Sequence, residues 1–360
     1  MKALKIQKPG HAEVLDVPIP KLRTPDHVLV RPVAVATNPT DWKHIEWTET
    51  HPTVGCDYSG VVHELGSNVT NLKKGDPVWG VVHGSNAVEN EDGAFGEYLV
   101  SKAAVVQKKP ENLSFEDAAT LGVGITTVGQ GLYQTLGLPW PSAVAKEPQK
   151  TEGEKPWILI YGGSSAMGAM GIQFARLSGF RVVTTCSPRN NEYVKSLGAD
   201  AVFDYSAPDV AEQIRKFTDD KLYYVWDCIG EGSSYAIGTA ALSSDSSPAD
   251  SPTGKLNYAS ILAPPEVPPR EYVEIRWTLG YTAMGEAFTM KGQEWPAQPS
   301  HYEFIIEWLK EVEPLLAEGK VKTHRVDLRE GGIEGILDGL ADLKSGKVSG
   351  VKLVYRIQDP

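Results

Sequence analysis

The sequence predicts an α/β protein of two domains, a β-rich one first and a doubly wound parallel sheet second. Three observations carry this expectation. The first hundred residues alternate short β-rich runs with Pro and Gly breaks, and a glycine-rich turn, Gly162 to Gly168, separates a buried apolar run from an amphipathic helix. Strand and helix patterns then alternate as far as Thr278.

In chain order, Ala3–Ile6, Val28–Ala36, Gly60–Leu65, Pro77–Val82 and Gly96–Val100 read as strands of a largely antiparallel domain. From Ser114 the pattern changes: Phe115, Ala118, Ala119 and Leu121 recur at helical spacing, and a Gly-punctuated helix follows from about Ile125 to Leu136. Pro139–Pro156, rich in Pro, Lys and Glu, reads as a surface insertion. Strand Trp157–Tyr161, a helix to Ser178 and strand Arg181–Thr185 form one βαβ unit. Helix Glu192–Leu197, strand Ala201–Phe203, helix Val210–Phe217 and strands Tyr223–Trp226, Leu256–Ile261 and Glu274–Thr278 complete a sheet of roughly six strands. Ser243–Thr253, full of Ser, Asp and Pro, predicts a mobile surface loop. Helix Tyr302–Glu318 gathers Ile305, Ile306, Leu309, Val312, Leu315 and Leu316 on one face, and strand Val351–Ile357 returns to the first domain. The expected division is 1–130 with 300–360 in the β-rich domain and 131–299 in the sheet domain.

Composition narrows the function classes. Hydrophobic residues at 41% and charged residues at 22% suit a chain that folds unaided. With 46 acidic against 35 basic residues, the formal charge of −11 argues against nucleic acid or an anionic membrane as partner. Cys56, Cys186 and Cys228 are too few and too scattered for a disulfide framework, which fits a reducing compartment. Met1–Asp16 lacks the apolar core of a signal peptide, so a soluble cytoplasmic protein is expected.

The turn Gly162-Gly163-Ser164-Ser165-Ala166-Met167-Gly168 carries the chemistry. Its glycines allow a tight bend and close backbone approach, so the N–H groups at the following helix's N-terminus can face a pyrophosphate. The second strand ends in Cys186-Ser187-Pro188-Arg189-Asn190, with no Asp or Glu for a ribose 2′-hydroxyl. A hydroxyl, a guanidinium and an amide suit a 2′-phosphate, and Lys195 adds a point charge, so NADPH is favoured over NADH.

Asn38-Pro39-Thr40-Asp41-Trp42-Lys43, Gly55-Cys56-Asp57-Tyr58-Ser59-Gly60 and Asp92-Gly93-Ala94-Phe95-Gly96-Glu97-Tyr98, taken with that turn, resemble the quinone-oxidoreductase branch of the medium-chain dehydrogenase/reductase superfamily. The resemblance spans nearly the whole chain. It implies a GroES-like catalytic domain beside a Rossmann domain, with the active site in the cleft between them. Gly124-Ile125-Thr126-Thr127, Gly137-Leu138-Pro139, Ser187 to Asn190, Phe203-Asp204-Tyr205 and Trp277-Thr278-Leu279-Gly280 resemble, more narrowly, fungal trans-acting enoyl reductases. Those enzymes work beside highly reducing polyketide synthases and reduce an α,β-unsaturated thioester on the carrier protein.

The resemblance implies roles. Thr40, Asp41, Trp42 and Lys43 would approach the nicotinamide and its ribose; Gly162, Gly163, Ser164, Ser165, Ala166 and Met167 would hold the pyrophosphate. Ser187, Pro188, Arg189, Asn190, Lys195 and Tyr205 would surround the 2′-phosphate, with Ile261, Leu262, Val351 and Lys352 as further cofactor contacts. Val128, Gly129, Gln130, Gly131, Leu132, Tyr133, Gln134 and Thr135, with Gly280, Tyr281, Thr282, Ala283 and Met284, would line the acyl pocket. Within it Gly129, Gly131, Gly280 and Ala283 would leave room for a long chain.

Zinc alcohol dehydrogenases of the superfamily use a Cys, a Gly-His-Glu segment and a later Cys or His. Here Asn38 stands for the first Cys, Cys56-Asp57 replaces His-Glu, and the four-cysteine lobe is missing, so no metal is expected. A conjugated alkene then suits the site better than a ketone or alcohol, since hydride adds to the β-carbon and the protein need only position the partners and hydrogen-bond the enolate oxygen. Lys43 is the candidate polar group at the reacting end, although taken alone it reads as a surface lysine after a turn; Thr40 and Thr127 are candidate donors. Tyr58 reads as a core aromatic, His44, His51 and His83 show no ligand spacing, and no proton donor stands out, leaving solvent for that step. Alternatives are a stand-alone quinone or enone reductase and a redox-inactive NADPH-binding protein. Both a monomer and a homodimer fit.

Overall fold

The computed structural model describes residues 1–147, 151–246, 248, 251, 253–265, 270 and 272–360. It consists of two compact units: Met1–Thr126 with Tyr281–Pro360, and Thr127–Gly280. The segment Tyr281–Pro299, expected with the sheet, therefore belongs to the β-rich unit, and 127–130, expected with the β-rich domain, belongs to the sheet unit. Aromatic side chains explain the first of these, because Tyr281 and Phe288 pack on the His83 ring of the β-rich unit.

The β-rich unit opens with the hairpin β1 (Lys2–Lys8) and β2 (His11–Asp16), then β3 (His27–Ala36), α1 (Pro39–Ile45), β4 (Asp57–Leu65), β5 (Pro77–Val81), β6 (Leu99–Lys102), β7 (Gln107–Lys108), α2 (Phe115–Ala118) and the start of α3 (Gly122–Val128). The second unit adds α4 (Pro141–Val144), β8 (Trp157–Tyr161), α5 (Ala166–Leu177), β9 (Arg181–Thr185), α6 (Asn191–Ser196), β10 (Ala201–Phe203), α7 (Val210–Phe217), β11 (Leu222–Asp227), α8 (Ser234–Ala241), β12 (Leu256–Ser260) and β13 (Val273–Trp277). The chain then returns to the first unit with β14 (Phe288–Met290), β15 (Gln293–Trp295), α9 (Pro299–Ala317), β16 (Val326–Arg329), α10 (Gly332–Lys344) and β17 (Lys352–Arg356).

In the β-rich unit the main sheet runs β16-β17-β3-β4-β5-β7, with β6 also paired to β3. As expected, the last strand comes back to the first domain, antiparallel to β3. Nearly every residue of β3 is buried, because the strand is covered on both faces. Pro32 offers no N–H to the ladder, and the register with β4 shifts between Pro32 and Ala34. Leu4, Val30, Tyr58, Phe95, Leu99, Ile336 and Tyr355 form one apolar core. Helix α9 buries Ile305, Trp308, Leu309, Val312 and Leu316, and the indole N–H of Trp308 donates to the Ile125 carbonyl at 2.9 Å. Ile306 and Leu315, expected on the same face, are half-buried.

The second unit is a parallel sheet in the order β10-β9-β8-β11-β12-β13, as the alternation predicts. Pairing runs outward from β8 in both directions, so a topological switch point lies between β8 and β11. The sequence does not predict helix α8, because Ser234–Ala241 is a run of small residues with little amphipathic pattern. Of the predicted insertion Pro139–Pro156, α4 is described and 148–150 lie outside the described residues; so do 247, 249, 250 and 252 of the predicted loop Ser243–Thr253. No helix among the described residues is long and apolar enough to cross a membrane.

The predicted helix Ile125–Leu136 is interrupted. Helix α3 ends at Val128, and Gly129–Thr135 continues as a π-helical turn. Its glycines disfavour regular helix, and Gly131 lies directly on the fully buried indole of Trp226, where a β-carbon would collide with the ring. The expectation that Gly131 leaves space for a ligand is thereby corrected: its missing side chain is filled by protein. Gly131→Ala should lower the thermal unfolding midpoint through overpacking, at a cost of about 1–3 kcal/mol. An unchanged midpoint would mean that Trp226 yields freely.

Candidate active site

The glycine-rich turn sits at the carboxyl edge of the parallel sheet. Gly162 has φ of 81°, a conformation costly for any residue with a side chain. Its N–H donates to Thr185 Oγ1 at 3.0 Å, and the Gly163 N–H to the Thr185 carbonyl at 2.9 Å, so the end of β9 holds the turn. A β-carbon on Gly163 would strike Thr184 Oγ1, and one on Gly168 would strike the Gly162 carbonyl. Ser165 caps α5 by accepting from the Gly168 N–H at 3.0 Å. The result is a glycine cradle opening on the N-terminus of a twelve-residue helix, which fits a dinucleotide pyrophosphate. On the far side of the switch point, Asp227 Oδ1 accepts from the N–H groups of Ile229 (2.9 Å) and Gly230 (3.0 Å), and its Oδ2 accepts from the Tyr258 hydroxyl at 2.6 Å. Ile261 N–H donates to the Asp227 carbonyl at 3.1 Å, and Leu262 N–H to Ser260 Oγ at 3.3 Å. Both residues therefore lie on the same edge of the sheet as the glycine turn.

At the end of β9, Ser187 Oγ and the Tyr205 hydroxyl are 3.3 Å apart, Arg189 is exposed, and Asn190 is buried in a short 3-10 turn that Pro188 begins. Lys195 pairs with Glu192 at 3.1 Å, which offsets part of its charge. The Ser187 and Tyr205 hydroxyls stand together, and Arg189 follows Ser187 closely in the chain, while the Asp204 carboxylate lies near Cys186 at the strand end.

In the β-rich unit, α1 begins with Asn38 as N-cap and Pro39 at N1. The Asp41 carboxylate accepts from the Asn38 N–H at 2.6 Å, and burial pushes its pKa up to about 8. Asp57 Oδ1 accepts from the Val123 N–H at 2.5 Å, while Oδ2 accepts from Lys352 Nζ at 2.5 Å and Asn38 Nδ2 at 2.9 Å. Lys352 Nζ also donates to Asn38 Oδ1 at 3.0 Å. Asp41 and Lys352, expected at the cofactor, thus turn their side chains into the unit, and Val351 beside them is half-buried. Burial also pushes the Cys56 thiol far up, so it stays protonated. These residues do not fit zinc: an ammonium already stands against Asp57, and Asn38 is tied to both partners. Among the described residues no group of three His, Cys, Asp or Glu side chains could hold a metal.

Beside this pair lies a polar cluster that sequence reasoning missed. The Thr40 hydroxyl is 2.7 Å from the Tyr281 hydroxyl and 3.1 Å from His44 Nδ1, and the His83 ring stacks on Tyr281 at 4.1 Å. In the sequence Tyr281 reads only as pocket lining and the histidines show no ligand spacing; the signal that joins them is a stacking contact between distant segments. Thr282 Oγ1 meets His301 Nδ1 at 2.8 Å, and Ala283 and Met284 are buried. Lys43 lies 5.7 Å over the Trp42 ring. In the other unit Thr127 is nearly buried, Val128 to Tyr133 are core, Gln134 and Thr135 are half-buried, and the α-carbon side of Gly280 is open except toward Thr127 Oγ1.

Two family models match: the alcohol dehydrogenase GroES-like domain over residues 24–111 and the zinc-binding dehydrogenase over residues 166–245. Trans-enoyl reductase ACTTS2 of Alternaria alternata is 43% identical over 99% of this chain and 98% of its own length. Trans-enoyl reductase resD of Aspergillus sclerotiorum is 44% identical over 99% and 100%. The chain belongs to the trans-enoyl reductases. Among solved structures, an alcohol dehydrogenase superfamily protein of Novosphingobium aromaticivorans matches with a TM-score of 0.77 and 21% identity, covering 99% of this chain and all (100%) of that one. The CurK enoyl reductase matches with a TM-score of 0.75 and 20% identity, covering 99% of each chain. At such identities the likeness is one of fold: a GroES-like domain and a Rossmann sheet. A trans-enoyl reductase of this superfamily is an oxidoreductase that works with a nicotinamide cofactor, and the glycine cradle has the shape for one.

Lys352→Met should leave Asp57 buried and unpaired, at a cost of about 3–5 kcal/mol, whereas Lys352→Met with Asp57→Asn should lose much less. Denaturant unfolding of the single and double variants checks this; a double variant weaker than the single would overturn it.

Proposed function

We propose that this trans-enoyl reductase reduces the α,β-double bond of an acyl thioester on the carrier protein of a polyketide synthase, with NADPH as reductant and without zinc. The observation that carries the reading is the end-to-end likeness to trans-enoyl reductases at 43–44% identity. When bound, NADPH supplies a hydride for the β-carbon. Gly162, Gly163 and Ser164 to Met167 would hold its pyrophosphate against the α5 N-terminus. Ser187, Arg189 and Tyr205 would take the 2′-phosphate, Arg189 through charge-assisted hydrogen bonds, with Lys195 a weaker contributor because Glu192 already pairs with it. Support for NADPH over NADH comes from the hydroxyl and guanidinium at the end of β9, where an NAD site would carry an acid.

Thr40 and Lys43 would orient the reacting end, and Thr127 would donate to the thioester oxygen as negative charge gathers there. Zinc independence rests on the engagement of Asn38 and Asp57 with Lys352. With an enoyl pantetheine thioester, the purified protein should oxidise NADPH at a rate that a chelator leaves unchanged. A protein that reduced only free quinones would instead be a stand-alone quinone reductase, and one that oxidised nothing would be a binding protein.

Arg189→Ala should raise the Kd for NADPH about tenfold to hundredfold while leaving that for NADH nearly unchanged. Cofactor fluorescence titrations check this, and equal weakening of both would remove Arg189 from the 2′-phosphate.

A further inference from the structure

Conjugate reduction needs a proton at the α-carbon as well as a hydride at the β-carbon, and the cluster around Tyr281 has the form of a proton donor. The ring is held on several sides: His83 stacks on it at 4.1 Å and 18°, His44 meets it edge-on at 5.2 Å, and Phe288 at 6.0 Å. The phenol is half-buried, and burial keeps its pKa well above the ordinary value, so the O–H stays loaded at neutral pH. Burial also holds His44 down to about 4 and His83 to about 3; both are neutral, and neither draws the phenol toward ionisation.

The direction of donation at His44 follows from the atoms. His44 Nδ1 lies 2.9 Å from the Thr40 carbonyl, which can only accept, so Nδ1 carries the hydrogen. Nδ1 therefore cannot accept from the Thr40 hydroxyl 3.1 Å away, and the Tyr281 oxygen at 2.7 Å is within reach of that hydroxyl's hydrogen, although either oxygen can donate in that contact. With Thr40 as the donor, the Tyr281 hydrogen is left for another acceptor. The other nearby polar atom in contact is Cys56 Sγ at 4.0 Å, a weak acceptor. An O–H with its oxygen lone pair already served and its hydrogen uncommitted is poised to donate to an incoming group.

We propose that Tyr281 is the acid of the reaction, with Thr40 and His44 as the positioning residues behind it; this rests on the enoyl-reductase reading above. As the β-carbon takes hydride from NADPH, the alkene π pair moves through the α-carbon to leave an enolate on the thioester. The enolate carbonyl re-forms, the α-carbon gains a C–H bond from the Tyr281 proton, and the Tyr281 O–H bond breaks to give a phenolate. The Thr40 hydroxyl passes its hydrogen to that phenolate, and water restores the hydrogen to Thr40 as product leaves.

Tyr281→Phe keeps the stacked ring and removes only the oxygen. In D2O the wild type should place one deuterium on a single face of the α-carbon, readable by NMR of the product. Tyr281→Phe should lower kcat by about 10²–10⁴ and deliver deuterium to both faces from solvent, with NADPH binding unchanged. Thr40→Val should show a smaller loss that Thr40→Ser restores. Unchanged kcat in Tyr281→Phe, or a fall in kcat with deuterium still on one face, overturns the proposal and leaves the enoyl-reductase reading standing. A wild type that turns over no enoyl thioester brings down that reading and this inference with it.

Discussion

The Asp57 carboxylate is the knot of the β-rich unit. It starts β4, and through its two oxygens it ties down the N-terminal turn of α3 at Val123, the N-cap residue of α1 at Asn38 and the first residue of β17 at Lys352. Each partner comes from a different element, so a single buried charge fixes where two helices begin and where the last strand enters. A buried ion pair is weak evidence for stability, because desolvation offsets much of the attraction. Its value here is placement: Lys352, Asn38 and Asp57 satisfy one another in a closed set, and any other arrangement leaves a buried charge unmatched. Thr40 and Lys43 follow Asn38 on the same short helix, so their position inherits that of the knot.

A second carboxylate does comparable work in the nucleotide-binding unit. Asp227 ends β11, caps the turn at Ile229 and Gly230, and accepts from Tyr258 on the neighbouring β12. It shapes the edge opposite the glycine turn, across the switch point where parallel sheets of this order hold ligands. One acid thus organises each unit, and both are fully buried, with hydrogen-bond donors on both oxygens.

What could be read from sequence was what is local. The glycine turn, the end of β9 and the alternation from Trp157 onward are set by neighbours a few residues away, and the six parallel strands follow from them. What failed depended on distant partners. Gly131 reads as open space until Trp226 fills it. Lys352 reads as a cofactor contact until Asp57, 295 residues earlier, is found against it. Tyr281 and His83 carry no spacing signal because their meeting is made by the return of Tyr281–Pro299 to the β-rich unit, which also moved the boundary between units. Helix α8 was missed for a different reason: its small residues give neither an apolar stripe nor a turn signal.

The two kinds of polar group near α1 divide the labour. Asp57 and Lys352 carry opposite charges and pair with each other out of reach of solvent. The groups beyond them, Thr40, His44, His83 and Tyr281, are neutral at physiological pH, and burial holds the histidines and the phenol in that state. On the proposal above, a neutral hydroxyl pair suits an enolate, whose charge forms and vanishes within one turnover, because it can supply the proton itself. Burial keeps the phenol and the imidazoles neutral, and the matched ion pair contributes by fixing the start of α1, which carries Thr40 and His44.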